Sequence, residues 1–445
     1  MQDGDGTLAE YTIVGNSIAA NSAAARIVSL DPGARVTLIS DEPEPYYSRC
    51  ALMYYAMDHC CERDIYIADK VHYERLHAEV VHDRVVGVDT ENHELALESG
   101  DKRDYEKLLL AVGASPRRMG IEGEDAEGVY DFTTLEHARK VRADAERCER
   151  AAVVGGGLIG SEVAEVFHKL GLHCDYFVKE STFFPAFCSA DQSRIILRRF
   201  GECHINVHMS RTLDRVQAED GGRITAATDT EGDRHEMELL VRAIGVTPRT
   251  EFLEGSGVDV DRGILVDDTM RTSAPDVWAA GDCAEVRFPG RESSVIQKLW
   301  YTAQPMGWIA GAQMAGADDR YEETITYLSA MFMDLDFAGY GEMPAPWNGL
   351  QEISLTAAND VDSARIVHDG EKVVGITFLG TALTKEDCEH LVLEEMPVET
   401  ACDTVRALYE AKMHDRAPKA RIARRRRLSR RPPFWPFGRK KTWRV

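Results

Sequence analysis

Two short apolar runs, each passing through a small-residue turn into a helix, stand 140 residues apart, and this duplication constrains the chain more than any other feature. Tyr11-Thr12-Ile13-Val14-Gly15 reads as a buried strand and its turn. Ala19, Ala20, Ala23, Ala24 and Ala25 then read as a helix slim enough to lie close on a sheet. Val36–Ile39 supplies a second strand, ending at Asp41 and Glu42. The same grammar returns at Ala151–Val154, followed by Gly155-Gly156-Gly157-Leu158-Ile159-Gly160 and a helix whose Val163, Val166, Phe167 and Leu170 share one face. A strand, a glycine turn and a helix start make a cradle for a pyrophosphate. Glycine lets the backbone approach closely, and the helix N-terminus offers unpaired N–H groups and partial positive charge. The second turn satisfies G-x-G-x-x-G in full; in the first, Ser17 and Ala20 replace the second and third glycines.

Between the two units, residues 79–110 alternate through Val85, Val86, Val88, Leu95 and Leu97. This predicts a β-meander that returns to the first sheet through Leu108–Val112 and the Gly113-Ala114 turn. A second alternating region, 213–246, closes at Ala243-Ile244-Gly245, and Val277-Trp278-Ala279-Ala280-Gly281-Asp282 predicts a strand ending in an acid. Residues 321–415 carry patterns of their own and read as a third domain. The expected fold is α/β, with two Rossmann-like units and a C-terminal α+β domain.

Hydrophobic residues at 44% and charged residues at 29% exclude a disordered or collagen-like chain. No run approaches the roughly 18 apolar residues that span a bilayer, and Met1–Glu10 lacks the positive charge and apolar stretch of a signal peptide, so a cytoplasmic protein is expected. Ten irregularly spaced cysteines suit reduced thiols, and no metal-ligand spacing stands out. The net charge is −23, yet residues 416–445 hold 13 Lys or Arg and no acid. The acidic body is therefore not expected to bind nucleic acid. The tail, with Arg424–Arg427, Phe434, Trp435, Phe437 and Trp443, is expected to be disordered. It suits an anionic membrane surface, an acidic partner, or solvation without a specific role.

With the two glycine turns, Leu109-Leu110-Ala111-Val112-Gly113-Ala114-Ser115-Pro116 and Thr272 through Asp282 in this order, residues 11–410 resemble the pyridine nucleotide-disulfide oxidoreductase superfamily, the two-dinucleotide-binding-domain flavoproteins. The resemblance implies a discontinuous FAD domain (1–115 and 246–320), an inserted NAD(P)H domain (116–245), a C-terminal interface domain (321–415) and the basic tail (416–445). It implies FAD against Gly15, Ser17, Ala20, Ala111, Gly113, Gly281 and Asp282, with Asp41 or Glu42 on the adenosine ribose. The nicotinamide dinucleotide would lie against Gly155, Gly157, Ile159, Gly160 and Gly245. Strand Cys174–Phe177 leads into Val178-Lys179-Glu180. Lys179 in place of the usual acid favours NADPH weakly, with Glu180 as the residue that would restore NADH. Glu162 would orient the nicotinamide for hydride transfer, and Trp300 would lie near the isoalloxazine ring.

Pro45-Tyr46-Tyr47-Ser48-Arg49-Cys50-Ala51-Leu52 is similar to the single-cysteine branch of coenzyme A-disulfide reductase, persulfide reductase, NADH oxidase and NADH peroxidase. This implies a redox-active Cys50, with Arg49 and a nearby helix N-terminus lowering its pKa, and a small disulfide, persulfide or oxygen-type acceptor. Paired-cysteine motifs are absent, and the vicinal Cys60 and Cys61 read as a surface pair. Ferredoxin and rubredoxin reductases share the Tyr47-Ser48-Arg49 lead-in, so reduction of an electron carrier is a second expectation. A redox-responsive flavoprotein that binds membrane or nucleic acid through the tail is a third. Phe332–Gly341 resembles the opening of a dimerisation domain and implies a homodimer, while His414 is isolated and lacks a Glu partner.

Overall fold

A computed structural model describes residues 9–219, 222–291, 293–322, 327–343, 349–381 and 383–415. The basic tail expected to be disordered lies outside the described residues. Contacts divide the chain into two units. The first runs up to Ser181 and again from Phe200 to Thr324; the second takes Thr182–Arg199 and the chain from Ile325 onward.

The first unit holds two parallel five-stranded sheets. In one, the spatial order is Val277–Ala279, Lys107–Leu110, Glu10–Val14, Arg35–Ser40, Ala78–His82. Ile13, Leu38, Ile39 and Leu108–Leu110 are fully buried, as strands covered on both faces must be. Its cover is a close pair of helices, Ile18–Leu30 and Trp300–Met314. A Cβ on Gly307 would stand 2.1 Å from the Ala19 carbonyl oxygen, and one on Gly311 2.4 Å from that of Ala23, so only glycine permits this crossing. The meander of the sequence reading spans Val85–Asp89, Glu94–Leu97 and Lys102–Asp104. Ala78–His82, read as part of the meander, instead pairs in parallel with Arg35–Ser40 as the sheet's edge.

The other sheet runs Ile205–Met209, His173–Val178, Arg150–Val154, Leu239–Arg242, Val129–Tyr130. Strand alternation sends Tyr176 to one side, where its hydroxyl donates to the Gly155 carbonyl at 3.0 Å. Phe177 goes to the other, into a cluster with Val216, Ile224 and Ala227 from an antiparallel three-stranded meander, Leu213–Ala218, Ile224–Asp229 and Arg234–Glu236. The chain crosses between the two sheets twice, at Ala114–Pro116 and Val246–Pro248, and these crossings pair antiparallel.

The second unit is an antiparallel sheet ordered Tyr327–Phe332, Leu335–Gly341, Val373–Leu379, Ser363–His368, Gln351–Thr356, with helices Lys385–Leu393 and Val398–Asp415. Residues 182–199, which lie inside the segment assigned above to the nicotinamide domain, belong to this unit. Buried Gln192 donates to the carbonyls of Ser363 and Thr377 and accepts from the Thr377 hydroxyl. Buried Arg365 reaches Glu352 at 2.7 Å and the Met343 carbonyl at 2.8 Å.

Candidate dinucleotide and redox site

The strand Glu10–Val14 turns at Gly15, whose φ of +125° suits glycine, and a Cβ there would meet the Ala111 oxygen at 2.3 Å. Helix Ile18–Leu30 follows. Its N-cap Ser17 makes no side-chain cap bond, and its first turn carries no acid, so the leading N–H groups face outward with nothing to repel an anion. Ala20 is fully buried, and Gly281 (φ +82°) draws the end of Val277–Ala279 onto Ala19. Asp282 is thereby set at the helix start. Burial pushes its carboxyl up, against the opposing pull of Arg49 and Lys298.

The two acids after Arg35–Ser40 have different partners. Asp41 pairs with Arg249 at 3.2 Å and Arg84 at 3.4 Å, and with His82, Asp83 and Glu98 it lines a hollow of about 380 Å³. Glu42 binds the guanidinium of Arg49 and accepts from the Tyr47 hydroxyl, which in turn accepts from Arg49 at 3.0 Å and from the Leu135 N–H at 3.0 Å. Gly113 and Gly245, at the two crossings, have φ of +68° and +102°, with open space where a Cβ would point at Gly113.

In the second turn, Gly155 has φ +118°, and a Cβ on Gly160 would lie 2.0 Å from the Gly155 oxygen, so the helix comes back onto the turn. Helix Leu158–Leu170 is uncapped by its N-cap Gly157 and has no acid in its first turn. Open space faces Gly157, and Ile159 is half-buried. Two uncapped helix starts with glycine turns and no first-turn acid suit the pyrophosphates of two dinucleotides. Val178 packs on Gly156, and the Glu180 carboxylate stands 3.4 Å from where a Gly156 Cβ would be; Lys179 is exposed.

The two turns are bridged by the 3₁₀ turn Arg49–Ala51 and the short helix Leu52–Ala56, which packs on helix Leu158–Leu170. Cys50, Tyr54 and Glu162 come into electrostatic range here. Burial and neighbouring Glu165 push the Glu162 carboxyl up to about 7. Cys50 is exposed, yet protein packs densely around its thiol. Burial, then the charges of Glu162 and Asp282, push that thiol up to about 11. This reverses the sequence expectation that Arg49 would depress it. The Arg49 guanidinium is drawn to Glu42 and Tyr47, and the following helix, five residues long, has little dipole to offer.

Trp300 begins helix Trp300–Met314, and its side chain hydrogen-bonds the Tyr46 hydroxyl, which also senses Cys50. Lys298 donates to the Val246 carbonyl at 3.1 Å. All ten cysteines are free thiols. Cys61 Sγ lies 3.0 Å from Asp64 Oδ2, capping the turn Glu62–Ile65, and burial and Asp64 push Cys60 up to about 11. Sequence reasoning missed Tyr47, Tyr54 and Lys298. The first two lie in or beside the quoted Tyr-Tyr-Ser-Arg-Cys segment, where aromatic spacing around the cysteine was the available signal. Among the described residues, no helix is long and apolar enough to cross a membrane.

The chain matches the family model "Pyridine nucleotide-disulphide oxidoreductase" over residues 9–307. It is similar to a nitrite reductase [NAD(P)H] of Bacillus subtilis, 26% identical over 377 residues. That match takes 83% of this chain but 45% of the relative, so the chain spans about half of that enzyme's length. It is also similar to an NADH oxidase of Methanocaldococcus jannaschii, 27% identical, covering 83% of this chain and 87% of the relative. A solved ferredoxin reductase for the CYP199A2 system of Rhodopseudomonas palustris superposes with a TM-score of 0.82 at 22% identity, covering 90% of this chain and 99% of that one, and shares its fold. With both nucleotide turns inside the matched span, the chain is an FAD-dependent NAD(P)H oxidoreductase and belongs to the pyridine nucleotide-disulphide oxidoreductase family.

Proposed function

We propose that the chain passes two electrons from a nicotinamide dinucleotide, by way of FAD, to Cys50, and from Cys50 to a small disulfide or persulfide. FAD, when bound, supplies the two-electron relay. Its pyrophosphate would rest on Gly15 and the start of helix Ile18–Leu30, beside Gly281 and Asp282. The hollow beside Asp41 suits its adenosine end. The single observation that carries the reading is the meeting of Cys50, Glu162 and Asp282 between the two nucleotide turns.

Cys50, as thiolate, attacks one sulfur of a disulfide RSSR, forming a Cys50–S–S–R bond and releasing RS⁻. Two electrons originating in the nicotinamide then cleave that bond, returning the Cys50 thiolate and a second RS⁻, each protonated from solvent. Glu162, poised near neutrality and within electrostatic range of Cys50, would hold or release a proton beside the thiol. The preferred cosubstrate is NADH. A carboxylate at Glu180, over the glycine turn, suits two ribose hydroxyls and repels a 2′-phosphate, which outweighs the exposed Lys179 that favoured NADPH in the sequence.

Anaerobic titration with NADH, counting electrons per flavin, tests the role of Cys50. With Cys50 first converted to its mixed disulfide by a small disulfide and the excess reagent removed, about four electrons in wild type and about two in Cys50→Ser treated alike support the thiol relay. Two in both sink it. A second reading, transfer from FAD to an electron carrier without Cys50, is favoured by one observation: the Cys50 thiol is held protonated, contrary to a nucleophile's need.

A further inference from the structure

We propose that Asp175, His208 and His235 form a binding site for a divalent transition metal of the zinc class, on the meander-covered face of the second parallel sheet. One ring nitrogen of each histidine and one oxygen of Asp175 all lie within 4.8 Å of one another. A cation among three such atoms, at the usual 2.0–2.2 Å from each, needs donor separations of roughly 3–4 Å, so small side-chain rotations complete the set.

The placement follows from the fold. Asp175 lies on His173–Val178, two residues before Phe177 and hence on the same face. It is paired in register with Asn206, two residues before His208 on the neighbouring strand. His235 arrives from Arg234–Glu236 of the meander. Phe177 fixes both rings, stacked on His208 with centroids 4.6 Å apart and edge-on to His235 at 4.9 Å. His208 Nε2 lies 2.7 Å from Asp175 Oδ1, and Asn206 donates to the same oxygen at 2.7 Å.

Two further features distinguish this cluster from an ordinary hydrogen-bonded pair. His235 Nε2 lies 3.0 Å from a carboxylate oxygen of fully buried Asp229, which Arg211 also binds. A buried carboxylate hydrogen-bonded to a histidine ring fixes its tautomer and orientation, as the outer-sphere partners of metal-bound imidazoles do. The cluster also opens on a hollow of about 560 Å³ whose walls include Asp175, Asn206 and His235, leaving room for solvent as a fourth ligand. The nearby cations are already matched: Arg150 pairs with Glu236 at 2.7 Å and Arg211 with Asp233 at 2.6 Å. Two imidazoles, one carboxylate and water suit Zn²⁺, with Co²⁺ as its spectroscopic stand-in, rather than Ca²⁺ or Mg²⁺. With its ligands 33 and 27 residues apart, the set shows no motif in the sequence.

The test uses full-length flavin-loaded protein titrated with Co²⁺ alone, then Zn²⁺ alone. One equivalent of Co²⁺ giving visible d–d bands without thiolate charge transfer, displaced by Zn²⁺ and weakened at least tenfold in His208→Gln and His235→Gln, supports the site. Unchanged binding in both variants, intense near-ultraviolet thiolate bands, or no binding overturns it. Should the variants misfold, X-ray absorption of the zinc-loaded wild type decides alone. A nitrogen/oxygen shell near 2.0 Å with imidazole scattering supports the site, and a sulfur shell near 2.3 Å overturns it.

Discussion

Glu162 is placed where a carboxylate resists ionisation, and the consequence can be worked out in sign. Its folded pKa of about 7 stands above the ordinary value of 4.5, so the native protein keeps a proton that the unfolded chain has released. Stability therefore falls as pH rises from about 4.5 to 7 and is level beyond that. Glu162→Gln removes the dependence. Relative to wild type, the variant should gain about 3 kcal/mol between pH 4.5 and 8 in urea unfolding of cofactor-free protein, and a pH-independent difference would refute the burial. The same substitution removes a negative neighbour from Cys50. The pH midpoint of iodoacetamide alkylation should drop below the wild-type value of about 11. At Glu180, replacement by Ala should cut kcat/KM for NADH roughly tenfold and leave NADPH nearly unchanged, while Lys179→Ala changes neither. The turn glycines were legible in the sequence because backbone geometry requires them, whereas Cys50, Glu162 and Asp282 were singled out only by their places on motifs of the family the chain resembles. Tyr47 was less so: its hydroxyl is held by the Leu135 N–H, 88 residues away, and no local pattern encodes that meeting.

The crossing of helices Ile18–Leu30 and Trp300–Met314 is the element on which the flavin-side turn depends, since it joins the turn helix to the helix that begins at Trp300. Gly307 and Gly311 let Ala19 and Ala23 carbonyls approach the neighbouring backbone directly. Gly307→Ala should cost about 2–3 kcal/mol and loosen FAD, measured by urea unfolding and flavin retention on gel filtration. Gly201→Ala, where a Cβ meets nothing within 4 Å in helix Ala190–Glu202, should stabilise by about 0.5–1 kcal/mol and serves as the matched control. Parallel strands with continuous apolar runs were readable, as were both turn helices. Ala78–His82 was misread because it is the sheet's edge: Glu79, Val80 and His82 are exposed, so it lacks the continuous buried apolar run that marks a covered parallel strand. The allegiance of residues 182–199 rests on Phe183 and Phe184 packed against Phe332 and Phe337 and on buried polar bonds of Gln192 to the C-terminal strands, long-range meetings that local sequence pattern does not announce.

At the scale of the whole molecule, a net charge of −23 separates the two acceptor readings. A chain this acidic repels an anionic acceptor over distances of about a Debye length, and added salt shortens that length from roughly 30 Å at 0.01 M to roughly 8 Å at 0.15 M. Ferricyanide, a small anion able to take electrons from flavin without Cys50, should show kcat/KM rising severalfold between these salt concentrations. A neutral disulfide such as oxidised dithiothreitol should change by less than twofold, because encounter with an uncharged molecule is not steered. Cys50→Ser then divides the two routes: it should abolish turnover of the neutral disulfide while leaving the ferricyanide rate and its salt dependence intact. Loss of both activities in a variant that keeps its flavin would place Cys50 in the path of every electron. Retention of both would leave the thiol a bystander and hand the chemistry to a carrier whose surface, to dock on this acidic body, must itself be basic.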